Sequence, residues 1–292
     1  MTTRLVWFRR DLRIHDHPAL KAACRGDDAR VIGLYLATPQ QWEQHSMAPR
    51  QAWFIRQHVA ALGRSLAELG IPLQVAVVPD YRASIDWIDA FCQRHRVTEL
   101  LYHYQYELDE RRRDAALERA LDGKVMCQGF DDGVLLAPGS VTTGSGTSYQ
   151  VFTPFSRAVI RRLSQALPEC VASPSACGTP LRAPDIPDFD YPEQTVSEVD
   201  FPVGEVAAQA RLATFCHQPA AEYDAQRDFP ARPGTSRLSP WLAVGALSPR
   251  QCLAQLLENH PAELRGGPGA DWLKELIWRD FDRQVMVSRP EM

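Results

Sequence analysis

Over its first 130 residues the chain alternates short apolar runs with amphipathic stretches, and this pattern narrows the possible folds more than any other feature. Residues 4–8 (RLVWF), 31–37 (VIGLYLA), 73–78, 99–104 (ELLYHY) and 125–130 each read as a strand. The second of these is apolar almost throughout, as expected of a strand covered on both faces. Helical stretches lie between them. Residues 18–24 open after Asp16, a candidate N-cap. In residues 49–69, Trp53, Ile55, Val59, Leu62, Leu66 and Leu69 recur at roughly helical spacing, and Gly70 marks the stop. Residues 83–95 and 109–121 complete the set. Strands separated by helices of this length predict βαβ units, and therefore an α/β fold: a parallel five-stranded sheet with helices on both faces. No G-x-G-x-x-G follows the first strand, so the layout is Rossmann-like without the dinucleotide fingerprint.

The alternation dissolves after Asp131. Seven of the 22 prolines fall between Pro168 and Pro202, which predicts an extended connector. A short helix at 154–166, carrying Arg157, Arg161 and Arg162, interrupts it. Beyond Pro202 the pattern is helical: 204–217; 250–259, with Ser248 and Pro249 as N-cap and first helical residue; and 270–287, with Trp272, Leu276, Ile277 and Phe281 at helical spacing. Three parts are expected: 2–134, an α/β domain; 135–202, the connector; and 203–292, a helical region.

Composition excludes several classes. No apolar run approaches the ~20 residues of a membrane span, and the N-terminus lacks the apolar core of a secretory signal. Seven scattered cysteines without a CxxC pair predict reduced thiols in a cytoplasmic protein, neither a disulfide framework nor a metal site. A net charge of −4 does not mark a nucleic-acid binder. Residues 203–292 hold ten Lys/Arg against eleven Asp/Glu, so any DNA site there is a local patch or is completed by further sequence.

Four segments carry chemistry. Thr235, Ser236, Arg237, Leu238 and Ser239 (TSRLS) put three hydroxyls and a guanidinium before a helix, which suits a phosphate cradle but equally an ordinary cap with a solvated arginine. AAEYDAQRDFP carries Tyr223 and Arg227, which by themselves read as a half-buried tyrosine and a surface arginine paired with Asp224 or Asp228. In WLKELIWRDFDR, Trp272, Glu275, Trp278 and Arg279 lie three or four residues apart and should form one stripe, with charges that fit poorly in a plain core. YQYELDER sets Asp109 and Glu110 after a strand's C-terminal end, where α/β sheets hold ligands, although both would also suit a helix's first turn.

Together with an opening VWFRRDLRIHDHPAL and a late GTSRLSPWLAVGALSPRQCL, these segments resemble the DNA photolyase/cryptochrome family, and most closely its bacterial folate-type members acting on cyclobutane pyrimidine dimers. The resemblance runs collinearly over essentially the whole chain, which stops where such proteins are entering an all-α FAD-binding domain. It implies light-driven repair of pyrimidine dimers in DNA by a monomer, with reduced FAD as electron donor and 5,10-methenyltetrahydrofolate as antenna. By resemblance, Tyr223, Trp272 and the 235–239 loop contact FAD, and His45, Asp109 and Glu110 hold the folate. Asp109 departs from the pattern, standing where an asparagine is common. Trp278 would stack on a flipped-out dimer; Glu275, kept protonated by burial, would hydrogen-bond a pyrimidine carbonyl; Arg279 would bring positive charge near flavin or lesion. Arg227 and Asp282 join these three at the DNA. Arg9, Asp11 and Arg13 read as a structural strand-to-helix turn. The relatives' later helices are missing, so residues 270–287 are expected to expose an unpartnered apolar stripe and 203–292 to pack loosely. Rival readings are a cryptochrome-like light sensor and a folate-binding module without catalysis.

Overall fold

The computed structural model describes residues 2–26, 29–267 and 269–290. Strand β1 (Thr2–Phe8) leads through helix α1 (Pro18–Ala23) to β2 (Ala29–Ala37). Helices α2 (Pro39–Gln44) and α3 (Pro49–Glu68) then lead to β3 (Leu73–Val77). Helix α4 (Tyr81–His95) precedes β4 (Glu99–His103), and α5 (Leu108–Leu121) precedes β5 (Met126–Phe130). The sheet is wholly parallel in the order β3-β2-β1-β4-β5. Strand order reverses between β1 and β4, and the crevice beyond their carboxyl ends is where such sheets bind ligands.

Alternate residues of β1 enter two different cores. Leu5 and Trp7 join Ile88 and Phe91 of α4 and Leu117 of α5 on one face. Val6 and Phe8 join Leu20 of α1 and Val59, Leu62 and Leu66 of α3 on the other. A strand with period-two side chains and helices on both faces is apolar throughout, which is why these runs read so clearly.

The rest of the chain supplies α6 (Phe152–Gln165), α7 (Glu205–His217), α8 (Tyr223–Gln226), α9 (Ser239–Val244), α10 (Pro249–Asn259) and α11 (Ala270–Ser288). No helix among the described residues is long and apolar enough to cross a membrane. The connector is packed down: Phe189 is fully buried against Tyr35 and Trp42, and the Tyr191 hydroxyl donates to Met47 O at 2.7 Å.

Two expectations change. His17, not Asp16, caps α1: its Nδ1 accepts the Leu20 N–H at 3.0 Å. Asp16 adopts φ +50°, and its carboxylate turns to Ser248 and Arg250 across the molecule. Nor is the apolar stripe of α11 unpartnered. Trp272, Leu273, Leu276, Ile277 and Phe281 are buried in the core that contains Val6 and Phe8. Asp280 accepts the N–H groups of Leu135 and Leu136 at 3.0 Å, and Gln284 bonds Gly139 N and Val141 O. The chain's own segment from Val134 to Phe155 covers this helix.

Candidate chromophore cavity and substrate face

A cavity of about 970 Å³ opens at the switch point, between the strand ends and the first helices of the second half. Its wall includes Trp7, Tyr35, Trp42 and Tyr81, and, from the far side, Leu242, Val244, Arg279 and Arg283. Volume and aromatic lining suit a drug-sized, planar ligand. Two buried donors beside it, Trp7 Nε1 and Arg9 Nε, have no hydrogen-bond partner, a costly arrangement that a ligand acceptor would relieve. The guanidinium of Arg113 lies 4.7 Å from the Trp7 ring and 4.6 Å from the Tyr81 ring, stiffening one wall.

Acidic groups from the first turn of α5 edge the opening. Glu110 is buried, accepts the Tyr81 hydroxyl at 2.8 Å and lines the cavity. Glu107 receives Arg10 at 2.6 Å; burial raises its pKa, but Arg10 outweighs that and holds the carboxyl below its ordinary range. His45 stands at the rim with its Nε2 2.9 Å from Gln41 Nε2. Asp109 lies outside the wall, half-exposed, 3.9 Å from His45 and 3.4 Å from Arg112. The three residues expected at a folate are thus adjacent, with Glu110 facing inward and Asp109 at the lip. The roles of Trp7, Tyr81, Arg10 and Arg113 were not legible beforehand, because β1 with the turn after it, α4 and α5 bring them together from positions far apart in sequence.

The second candidate region is an exposed face on α8 and α11. Arg227 donates to Glu275 at 2.6 Å, and its guanidinium lies 5.6 Å from the Tyr223 ring. Burial, followed by the charge of Glu275, pushes the Tyr223 hydroxyl up. Glu275 is some 40% exposed and ion-paired to Arg227, so it lacks the burial expected of it. Trp278 is 41% exposed; its ring lies flat on Phe152, centroids 3.6 Å apart and planes 6° apart. One face of the indole is therefore covered and fixed by Phe152. Asp282 continues the exposed row one turn on.

The 235–239 loop closes onto this region. A Cβ on Gly234 would meet Gln226 Cβ at 2.3 Å, so the loop lies directly against α8. Thr235, Arg237 and Ser239 are exposed, Ser236 is half-buried with its carbonyl accepting from Arg211 at 3.0 Å, and Leu238 is buried. Helix α9 has only six residues and carries Pro240 in its first turn. Any phosphate cradle here would rest on the hydroxyls and on Arg237, held at φ +51°, rather than on a helix end.

Two residues of the expected stripe lie elsewhere. Trp272 is 3% exposed and packs on Phe215 at 4.9 Å. Arg279 turns away from Trp278: it donates to Leu242 O at 2.9 Å and Gly133 O at 3.4 Å and lines the interdomain cavity. At 100° per residue these two share one side of the helix, Trp272 against α7 and Arg279 towards the cavity, while Trp278 is turned outward. Burial, then the neighbouring Arg283, lowers the Arg279 pKa to about 10, so it stays charged at neutral pH.

The FRRDLRIHDH turn joins the two halves, and its Arg9, Arg10 and Asp11 also line the cavity. Arg13 is 1% exposed and donates to Gly245 O at 3.0 Å and Asp132 at 2.7 Å. Asp132 also receives Arg250, and Asp16 receives both Arg250 and the Ser248 hydroxyl. Glu205 accepts the N–H groups of Ile14 and His15. Asp11, His17 and His103 crowd at metal-ligand spacing, yet chemistry argues against an ion. His17 Nδ1 and His103 Nε2 accept the N–H groups of Leu20 and Ala19. The nitrogens facing Asp11 therefore carry the protons and offer no lone pair.

The DNA photolyase family model matches residues 4–174. Among curated relatives, the deoxyribodipyrimidine photo-lyase of Escherichia coli is 51% identical over 294 residues, and that of Salmonella typhimurium 52% over 297. Each alignment takes in 100% of this chain and 62% of the relative, so the chain spans about three-fifths of their length. A class III photolyase from Agrobacterium tumefaciens superposes with a TM-score of 0.81 at 26% identity, over 100% of this chain and 60% of that one. A Synechocystis cryptochrome gives 0.83 at 26%, over 99% and 62%. With a family model matching well over half its residues, and a five-stranded parallel sheet and joint that the described residues complete, this chain belongs to the DNA photolyase family.

Proposed function

We propose that the chain forms the chromophore-binding and lesion-facing part of a light-driven enzyme that repairs cyclobutane pyrimidine dimers in DNA. The observation that carries this reading is the exposed face on which Phe152 fixes Trp278 beside the Tyr223–Arg227–Glu275 cluster. A half-exposed indole backed by a second ring is a stacking platform for an extruded base. Arg227 would release Glu275 for a phosphate, leaving the carboxylate free to accept a pyrimidine N–H. Arg279, on the cavity side, would act on a chromophore there rather than on the lesion. In this reading Tyr223, the 235–239 loop and an edge of Trp272 contact FAD, whose remaining contacts come from sequence beyond this chain. The interdomain cavity takes an aromatic antenna: its unpartnered donors and its size fit 5,10-methenyltetrahydrofolate, with His45 and Glu110 as polar contacts. When bound, reduced FAD supplies the light-driven electron and the folate the collected light. A cytoplasmic monomer acting on dimer-containing DNA completes the proposal.

A second reading, a chromophore-binding module without repair, is favoured by one observation: described residues of both halves line the cavity, whereas the substrate face is open. The absorption spectrum after incubation with FAD and reduced folate, then desalting, separates the two. Retained flavin, followed by light-dependent repair of a dimer-containing oligonucleotide, supports the first reading. Folate bands without flavin support the second, and loss of the folate bands in Glu110→Gln would assign them to this cavity. Retention of neither chromophore overturns both.

A further inference from the structure

On the side of the sheet remote from the cavity and the substrate face, Cys24 at the end of α1 and Cys177 in the connector line a polar pocket of about 270 Å³, with Lys21 beside them. Both thiols open onto this one pocket, where the Cys177 thiol donates to Ser175 O at 3.7 Å. Cys177 is exposed and Cys24 half-buried. The connector is held at this spot by backbone: Cys177 N donates to Leu69 O at 2.8 Å and Leu181 N to Ala67 O at 2.8 Å. Gly178 also lies so close to Gly70 that a Cβ on Gly70 would meet its carbonyl carbon at 2.6 Å. The pairing is thus a fixed feature of the docked connector. It joins residues about 150 positions apart, and neither belongs to the sites described above.

We propose that Cys24 and Cys177 form a redox-sensitive pair whose oxidation latches the connector to the α/β domain. The oxidant is a low-molecular-weight disulfide such as oxidised glutathione. The Cys177 thiolate attacks one of its sulfurs, releasing one reduced thiol and leaving a mixed disulfide on Cys177. The Cys24 thiolate then displaces the second reduced thiol and closes the Cys24–Cys177 bond, so two protein thiols are oxidised, one disulfide is reduced and the two protons pass to the released thiols. The order follows from exposure. Burial, then the contact with Cys177, pushes the Cys24 thiol well above its ordinary range, so Cys24 acts only once the mixed disulfide is in place beside it. Closing so long a loop restricts the unfolded chain and should raise the thermal midpoint.

The full chain is equilibrated with glutathione buffers of increasing oxidised-to-reduced ratio, quenched in acid, alkylated and mapped without reduction. The expected result is loss of two thiols per molecule, a peptide linking Cys24 to Cys177, and a thermal midpoint several degrees above that of the reduced protein. Cys24→Ser should instead accumulate glutathione on Cys177 and show no rise in midpoint. A persistent adduct on Cys177 of the native chain, a link formed instead by the exposed Cys170, or a link between molecules would each overturn the pairing. None of these outcomes depends on flavin, folate or DNA.

Discussion

Gly245→Ala tests the joint between the two halves. Gly245 caps α9 with φ +70°, where a side chain costs about 1–2 kcal/mol. An added Cβ would lie 1.9 Å from Arg10 O, 2.4 Å from Arg10 C and 2.5 Å from Asp11 Cα. All three are backbone atoms of the turn after β1, so no flexible side chain can yield, and overpacking adds about 1–3 kcal/mol. Relief by separation would stretch the bonds from Leu12 N to Val244 O and from Arg13 to Gly245 O. The expected loss is therefore about 2–5 kcal/mol, read from urea unfolding followed by tryptophan fluorescence. Faster proteolysis across 168–202 should accompany it as the halves part. Gly144→Ala is the control: its backbone lies outside the left-handed region with nothing within 4 Å of the new Cβ, so stability should hold or rise by up to about 1 kcal/mol. A Gly245→Ala protein within 1 kcal/mol of native would refute the close backbone approach.

Asp132→Ala should cost about 3–5 kcal/mol in the same assay, because it strands the buried guanidinium groups of Arg13 and Arg250, each 2.7 Å away; a loss under 1 kcal/mol would mean they find other partners. Burial lowers the pKa values of His17 and His58 to about 4 from the ordinary 6.5. The unfolded chain then takes up protons first as pH falls, so stability is full above pH 6.5 and declines towards pH 4, by at most roughly 3 kcal/mol per histidine. Urea midpoints measured from pH 8 to pH 4 should trace that decline, and a flat profile would contradict it. Glu275→Gln breaks an exposed ion pair and should change stability by less than about 1 kcal/mol. If the substrate face works as proposed, the same variant should lose preference for dimer-containing over undamaged duplex in competition binding.

Local rules explain why the first half could be read so fully. Val31–Ala37 is apolar because both faces of β2 are covered, and strands so buried leave a signal that needs no knowledge of their partners. Gly70 stops its helix as expected, at φ +75°. The misreadings arise where distant contacts override a local preference. His17 and Asp16 are both competent caps, and only the distant Ser248 and Arg250 decide that Asp16 faces away. Helical spacing gathers Trp272, Glu275, Trp278 and Arg279 onto one broad arc, but that arc spans two environments once the helix is docked.

The sequence alone determined the parallel sheet and its covering helices, because hydrophobic period and turn residues are properties of neighbours along the chain. Tertiary structure decided which residues meet: Trp278 on Phe152, Arg227 on Glu275, Arg279 in the cavity instead of on the substrate face, and the segment 134–155 over α11. Those contacts close loops of 37 to 145 residues, and their burial energy is set by what arrives from further along the chain.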